Sequence, residues 1–170
     1  GIRKQIEAGD ITLDDIYSVH PFGNTMCVIR VTGQQVLDAL EWGARAVPSE
    51  NGGFLQVSGL TYEIHTGVAS SAEKDENGMF TRVSGEYRVK NVMVGGQPLE
   101  LDKTYTLASH NYMLLGHGDG YTMFDGCEVL GEDMMVDNQV LITYITTTLG
   151  GVVGEQYANP YGDGRIVAVE

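Results

Sequence analysis

Thr25-Met26-Cys27-Val28-Ile29-Arg30-Val31-Thr32-Gly33-Gln34-Gln35-Val36-Leu37-Asp38-Ala39-Leu40 is the stretch from which the fold follows. Its first half is short, rich in β-branched residues and preceded by the turn residues Gly23 and Asn24, a pattern that predicts a largely buried strand over 24–31. Thr32 with Gln35 three residues on makes a capping box, and Val36, Leu37, Leu40 and Ala44 recur on one helical face. A helix of about three turns, packed back on the strand, is the consequence.

Upstream, Thr12 offers an N-cap with Asp14 and Asp15 in the first turn, so a short helix is expected until Pro21 stops it. His20-Pro21-Phe22-Gly23 is then a corner. Downstream, Gly52-Gly53 opens a second strand over 54–65, interrupted at Ser58-Gly59. Residues 67–85 read as an exposed loop, poor in apolar surface, with a loose hairpin near 79–83. The pattern over 89–94, Gly95-Gly96 and 97–101 is a hairpin. A strand over 105–109 leads into Asn111-Tyr112-Met113-Leu114-Leu115 and the glycine-rich Gly116-His117-Gly118-Asp119-Gly120-Tyr121. Asp137 is the expected cap of a last helix whose Val140, Leu141, Tyr144 and Ile145 share a face, and 165–169 closes as a strand. Strands mixed with about three helices argue for layered α+β packing around one core.

The length of 170 residues fits one domain, and a domain of that size buries roughly two thirds of the surface of its unfolded chain. Ten basic against 23 acidic residues give a net charge of -13, a field that repels polyanions and disfavours nucleic acid as a partner. A small phosphorylated ligand stays possible, because one arginine can hold a phosphate locally. The acidity suits a protein working outside a cell. No stretch approaches the ~20 apolar residues of a membrane span. Cys27 and Cys127 lie far apart without a metal-binding spacing, which leaves one disulfide or two thiols open.

Among residues that carry chemistry, the 116–120 glycines lack the Gly-Lys-Ser/Thr end of a phosphate loop and the helix-opening third glycine of a dinucleotide fingerprint. His110, His117 and Asp119 do not have the spacing of a metal site. No serine stands in a nucleophile elbow, and the paired acids Asp14/Asp15 and Glu132/Asp133 are explained by capping and solvation. Binding features are present without a catalytic set. Phe22 and Tyr112 each stand in or beside a turn, where two readings compete: core aromatics, or a pair facing one cleft and stacking on a flat ring.

Gly1-Ile2-Arg3, Gly9-Asp10-Ile11-Thr12, His20-Pro21-Phe22-Gly23-Asn24, Val31-Thr32-Gly33, the 52–59 run Gly-Gly-Phe-Leu-Gln-Val-Ser-Gly, the 116–121 run and Gly164-Arg165-Ile166 occur in an order that resembles the C-terminal domain of 5'-nucleotidases. That group includes bacterial periplasmic UDP-sugar hydrolases, 2',3'-cyclic phosphodiesterases and surface ecto-5'-nucleotidases. The resemblance implies an α+β fold, a layered α/β/β/α sandwich of mixed sheets with flanking helices. It implies that 1–170 is a single domain, truncated at its N-terminal edge, that recognises a nucleotide or nucleoside for a secreted phosphoric monoester hydrolase. In the family, two divalent metal ions sit on a separate N-terminal metallophosphoesterase domain. That domain is the expected partner, this fragment is expected to hold no cofactor and to be inactive alone, and the expected location is extracellular, periplasmic or on the cell wall.

By position, Phe22 and Tyr112 resemble the two aromatics that sandwich the base, Asp119 the carboxylate on the ribose hydroxyls, and Arg3 an arginine on the phosphate. The interval from Tyr112 to Asp119 is one residue longer than the family's usual spacing, with His117 breaking the glycine run. A surface or adhesion module on the same scaffold, no longer binding nucleotides, is the rival reading.

Overall fold

The computed structural model describes residues 1–159 and 162–170. Helix α1 (Leu13–Val19) begins as its local chemistry dictates, with the Thr12 hydroxyl accepting the Asp15 N–H while the Asp15 carboxylate accepts the Thr12 N–H. Strand β1 (Met26–Thr32) alternates buried Cys27, Ile29 and Val31 with more open neighbours and runs straight into α2 (Gly33–Ala44). The box between Thr32 and Gln35 closes in both directions. Gly33 is required at the junction, because a Cβ there would collide with the Glu100 carbonyl. The close approach lets the Gly33 and Gln34 N–H groups donate to the Lys103 and Leu101 carbonyls, both at 2.9 Å.

Two sheets follow. β1 is the middle strand of an antiparallel three-stranded sheet, between β7 (Thr104–His110) and β8 (Glu128–Gly131). The second sheet orders β6 (Gln97–Pro98), β5 (Val89–Val94), β2 (Leu60–His65) and β9 (Ile166–Val169), and is mixed because β9 runs parallel to β2. A separate hairpin joins β3 (Ala72–Lys74) and β4 (Phe80–Val83). The short α3 (Asn111–Leu114) follows β7 directly, and α4 (Asp137–Thr143) continues as one wide turn over Tyr144–Thr148. The fold is α+β, and α2 is shared by both sheets, packing on β1, β5 and β4. Its Val36, Leu40 and Trp42 are buried in the core with Ile29, Ile64 and Val89.

The expected pattern is met at α1, β1, α2, the β5–β6 hairpin, β7 and β9. It fails at three places. The strand expected over 54–65 begins only at Leu60, because the preceding residues do different work: Phe54 N–H closes a turn on the Asn51 carbonyl, and Tyr121 donates to the Gly53 carbonyl at 2.5 Å. The 67–85 segment is more than a loop, since Phe80 is buried and makes an edge contact with Trp42, ring centroids 5.7 Å apart. Asp137 is the first residue of α4 rather than its cap, a position held by Val136 in extended conformation. Both cysteines are free thiols, Cys27 buried and Cys127 accepting from Gln35 Nε2 at 3.2 Å.

Glu41 on α2 and Arg88 before β5 are both buried. Glu41 Oε2 accepts the Val89 N–H at 2.9 Å, and Arg88 donates to the carbonyls of Ala44 and Val47. Burial pushes the Glu41 carboxyl above its usual range, against the pull of the Val89 N–H and the Arg88 charge. A carboxyl whose pKa is raised by folding favours the folded state while protonated, and that contribution fades as pH rises through its folded value. Glu41→Gln, uncharged throughout, therefore becomes more stable relative to the wild type as pH rises from about 4 to about 7. Urea midpoints measured across that range check it. A difference that stays constant, or grows the other way, contradicts it.

Candidate functional site

The antiparallel register of β1 with β7 sets Met26 opposite His110. The chain therefore enters β1 and leaves β7 at the same end of the sheet, about 5 Å apart. Phe22 lies four residues before that point and Tyr112 two residues after it. Asn111 ties the two arms together, its side-chain oxygen accepting the Thr25 N–H at 3.1 Å while its own N–H donates to the Thr25 carbonyl at 2.8 Å. On the other side of the Phe22 arm, the Thr25 hydroxyl donates to Asp133 at 2.7 Å, Met26 N–H to the Met135 carbonyl at 2.7 Å, and Asp137 N–H to the Asn24 carbonyl at 2.8 Å. The segment carrying Phe22 is thus fixed from both flanks.

Neither ring is in the core: Phe22 is 55% exposed and Tyr112 48%. The core reading of both aromatics is overturned, since a buried ring would have its faces covered. Arg3 stands beside Phe22, with its guanidinium carbon 4.9 Å from the ring centroid, and its N–H holds the end of α1 through the Val19 carbonyl at 3.1 Å. Tyr112 has its neighbours on the other arm. The His110 ring lies 6.0 Å away at 33°, and the Tyr112 ring rests directly on Gly118, where any Cβ would overlap it.

Asp119, next to Gly118, is exposed. Its backbone is in the left-handed region at φ 55°, held there by Trp42 Nε1, which donates to the Asp119 carbonyl at 2.9 Å. A Cβ on Gly53 would meet Asp119 Cβ at 2.9 Å, which explains the glycine of that motif. Arg45, stacked over Trp42 at 3.7 Å, lies within electrostatic reach of Asp119; burial lowers its pKa, with Tyr121 and Asp119 opposing the shift. Of the four expected residues, Arg3 stands against Phe22, and the Tyr112 ring stands against Gly118, the chain neighbour of Asp119; the arms that carry Phe22 and Tyr112 meet at the Thr25–Asn111 link.

His117 takes a left-handed conformation, φ 56°, and its Nε2 pairs with Asp125. His110 instead caps α3, its Nδ1 accepting the Met113 N–H at 3.3 Å. Sequence reasoning missed Trp42, Arg45 and Asn111, and weighed the 116–120 glycines without the seat that Gly118 makes for Tyr112. The one visible signal was Trp42, the only tryptophan of the chain, whose indole N–H needs a partner once the ring is buried. A groove of about 910 Å³ lies elsewhere, between α1 and the α4 turn, lined mainly by aliphatic residues such as Ile6, Leu141, Ile145 and Val152. The charged side chains in its lining, Glu7 and Asp10, are both acidic.

The family described as 5'-nucleotidase, C-terminal domain, matches residues 1–126. The chain is 34% identical over 169 residues to the trifunctional nucleotide phosphoesterase protein YfkN of Bacillus subtilis, covering 99% of this chain and 10% of that one. It is 31% identical over 145 residues to a 5'-nucleotidase of Vibrio vulnificus, covering 85% of this chain and 22% of that one. The crystal structure of a 5'-nucleotidase precursor from Thermus thermophilus superposes with a TM-score of 0.78 at 30% identity, over 99% of this chain and 30% of that one. The chain thus spans between a tenth and a third of the length of these relatives.

Gly118→Ala places a methyl group where the Tyr112 ring stands, so the ring must leave its seat. The expected result is a displaced set of Tyr112 ring proton resonances while the Trp42–Phe80 core signals persist. Tyr112 resonances that do not move contradict this geometry.

Proposed function

The chain belongs to the 5'-nucleotidase C-terminal domain family, and from that membership we propose that it is the nucleotide-recognition domain of a secreted 5'-nucleotidase-like phosphohydrolase. The observation that carries this reading is the pair of half-exposed rings, Phe22 and Tyr112, on adjacent arms at one end of β1 and β7. The base enters between them, stacking on Tyr112 and on the face of Phe22 that Arg3 leaves free. Stacking of this kind contributes about 1–3 kcal/mol per ring. The exposed Asp119 side chain accepts hydrogen bonds from the ribose hydroxyls through its carboxylate oxygens. Arg3 supplies a planar charged fork for the phosphate.

The hydrolytic step lies outside this chain. Two divalent metal ions on a partner N-terminal domain supply the activation of water and of the phosphorus centre. This chain's residues are positioning groups: they hold base and sugar so that the phosphate projects toward that domain. Among the described residues there is no group of three or more His, Cys, Asp or Glu side chains suited to hold a metal ion. His110 and His117 are committed instead to a helix cap and to Asp125. The domain works in an extracellular, periplasmic or wall-associated setting; no helix among the described residues is long and apolar enough to cross a membrane.

Calorimetric titration with adenosine, AMP and UDP-glucose tests the reading. Phe22→Ala and Tyr112→Ala should each weaken nucleoside binding by about 1–3 kcal/mol with little change in melting temperature, since both rings are half exposed. A fall in melting temperature without loss of binding contradicts the base clamp. AMP with divalent metal should release no phosphate from the chain alone. Sustained turnover contradicts the division of labour, and the absence of nucleoside binding by the folded protein favours a surface module.

A further inference from the structure

His110 occupies three positions at once. It is the last residue of β7, opposite Met26, and the N-cap of α3, with extended backbone at φ −84°, ψ 152°. Its ring also lies 6.0 Å from that of Tyr112. Caps of this kind are usually made by Ser, Thr, Asp or Asn, whose oxygens accept at any pH near neutrality. Here the acceptor is a ring nitrogen, Nδ1, taking the Met113 N–H at 3.3 Å. Only the neutral imidazole with its proton on Nε2 can accept in this way, because the cation has a proton on both nitrogens.

We propose that His110 is a positioning residue for the base site, its neutral imidazole fixing the start of α3 and thereby the Tyr112 ring, and its protonation releasing both. The proposal rests on the base-clamp reading for its effect on ligand binding, though not for the coupling itself. The chain of contacts is short. Tyr112 is the second residue of α3, and the Met113 N–H bonded to Nδ1 belongs to the residue after it. A protonated Nδ1 turns a donor toward that N–H, so cap and cation are mutually exclusive.

The groups facing His110 come from three elements: Asp137 at the start of α4, the Gly1 amino group of the N-terminal segment, and Asp119 of the glycine-rich loop. Burial outweighs them and holds the imidazole below its ordinary 6.5; the carboxylates of Asp137 and Asp119 oppose the shift, and the Gly1 amino group adds to it. A depressed value in the folded state means that the cap is intact at neutral pH and is lost as pH falls below that ordinary value.

The test uses the whole chain in two measurements. In ligand-free protein followed by NMR from about pH 8 to about pH 5, the Met113 amide and Tyr112 ring resonances should titrate with the same midpoint as the His110 imidazole. In His110→Asn, whose amide oxygen caps without titrating, those resonances should stay fixed. Adenosine titrations over the same range should show the wild type weakening by roughly 3–10-fold toward low pH, the size of a lost cap. His110→Asn should bind with no such slope, and His110→Ala should bind weakly throughout. Met113 and Tyr112 signals that ignore the imidazole overturn the proposal, as does a wild-type affinity as flat as that of His110→Asn. If adenosine fails to bind at every pH while the Tyr112 and Met113 signals still follow His110, the base clamp is wrong and the proton-dependent positioning of Tyr112 stands.

Discussion

The pair of hydrogen bonds between Thr25 and Asn111 is the constraint on which the site depends. A backbone N–H and a side-chain oxygen meet on one side, a backbone N–H and a carbonyl on the other. Together they continue the β1–β7 ladder one step past its last paired residues, Met26 and His110. Such bonds contribute only about 0.5–1.5 kcal/mol each, yet they fix where two rings from opposite parts of the sequence can stand. Without them the arm carrying Phe22 and the helix carrying Tyr112 leave the sheet independently. The bonds from Met135, Asp133 and Asp137 to the same arm show how much of the fold is spent on holding it.

The glycines of the 52–59 and 116–121 runs work mainly by absence. Gly118 makes room for the Tyr112 ring and Gly53 for the Asp119 side chain. Gly120, at φ 84°, passes close to Trp42 and to the Gly78 carbonyl. In both runs small residues seat larger ones, the Tyr112 ring and the Asp119 side chain. Trp42 joins these parts to the core: its ring packs on Phe80 inside and its N–H reaches the Asp119 carbonyl at the surface. Stability of the α2 core and shape of the loop are therefore linked through one side chain.

What was legible in the sequence was whatever depends on neighbours within a few residues. The capping boxes at Thr12/Asp15 and Thr32/Gln35 declare two helices, and the β-branched run before Thr32 declares the central strand, because each acts over a turn or less. The β5–β6 turn is equally local, with both Gly95 and Gly96 at positive φ. The start of β2 was misread because Phe54, Leu55 and Val57 look like strand residues but pack against the core from irregular backbone. Phe22 and Tyr112 could be singled out by their turn positions, while their exposure could not. The roles of Asn111, Gly118 and His110 arise only once β1 and β7 are paired, contacts that join residues 86 apart, as between Thr25 and Asn111. His117, in the same run as Gly118, takes a left-handed conformation and pairs with Asp125, a residue eight positions on.

The account stands on both rings meeting one ligand. Intermolecular nuclear Overhauser effects between bound adenosine and the protein measure this most directly. The base protons should show cross-peaks to the ring protons of both Phe22 and Tyr112, with the ribose protons nearer Gly118 and Asp119. Cross-peaks from the base to the aliphatic groove of Ile6, Ile145 and Val152, with neither ring involved, would contradict it.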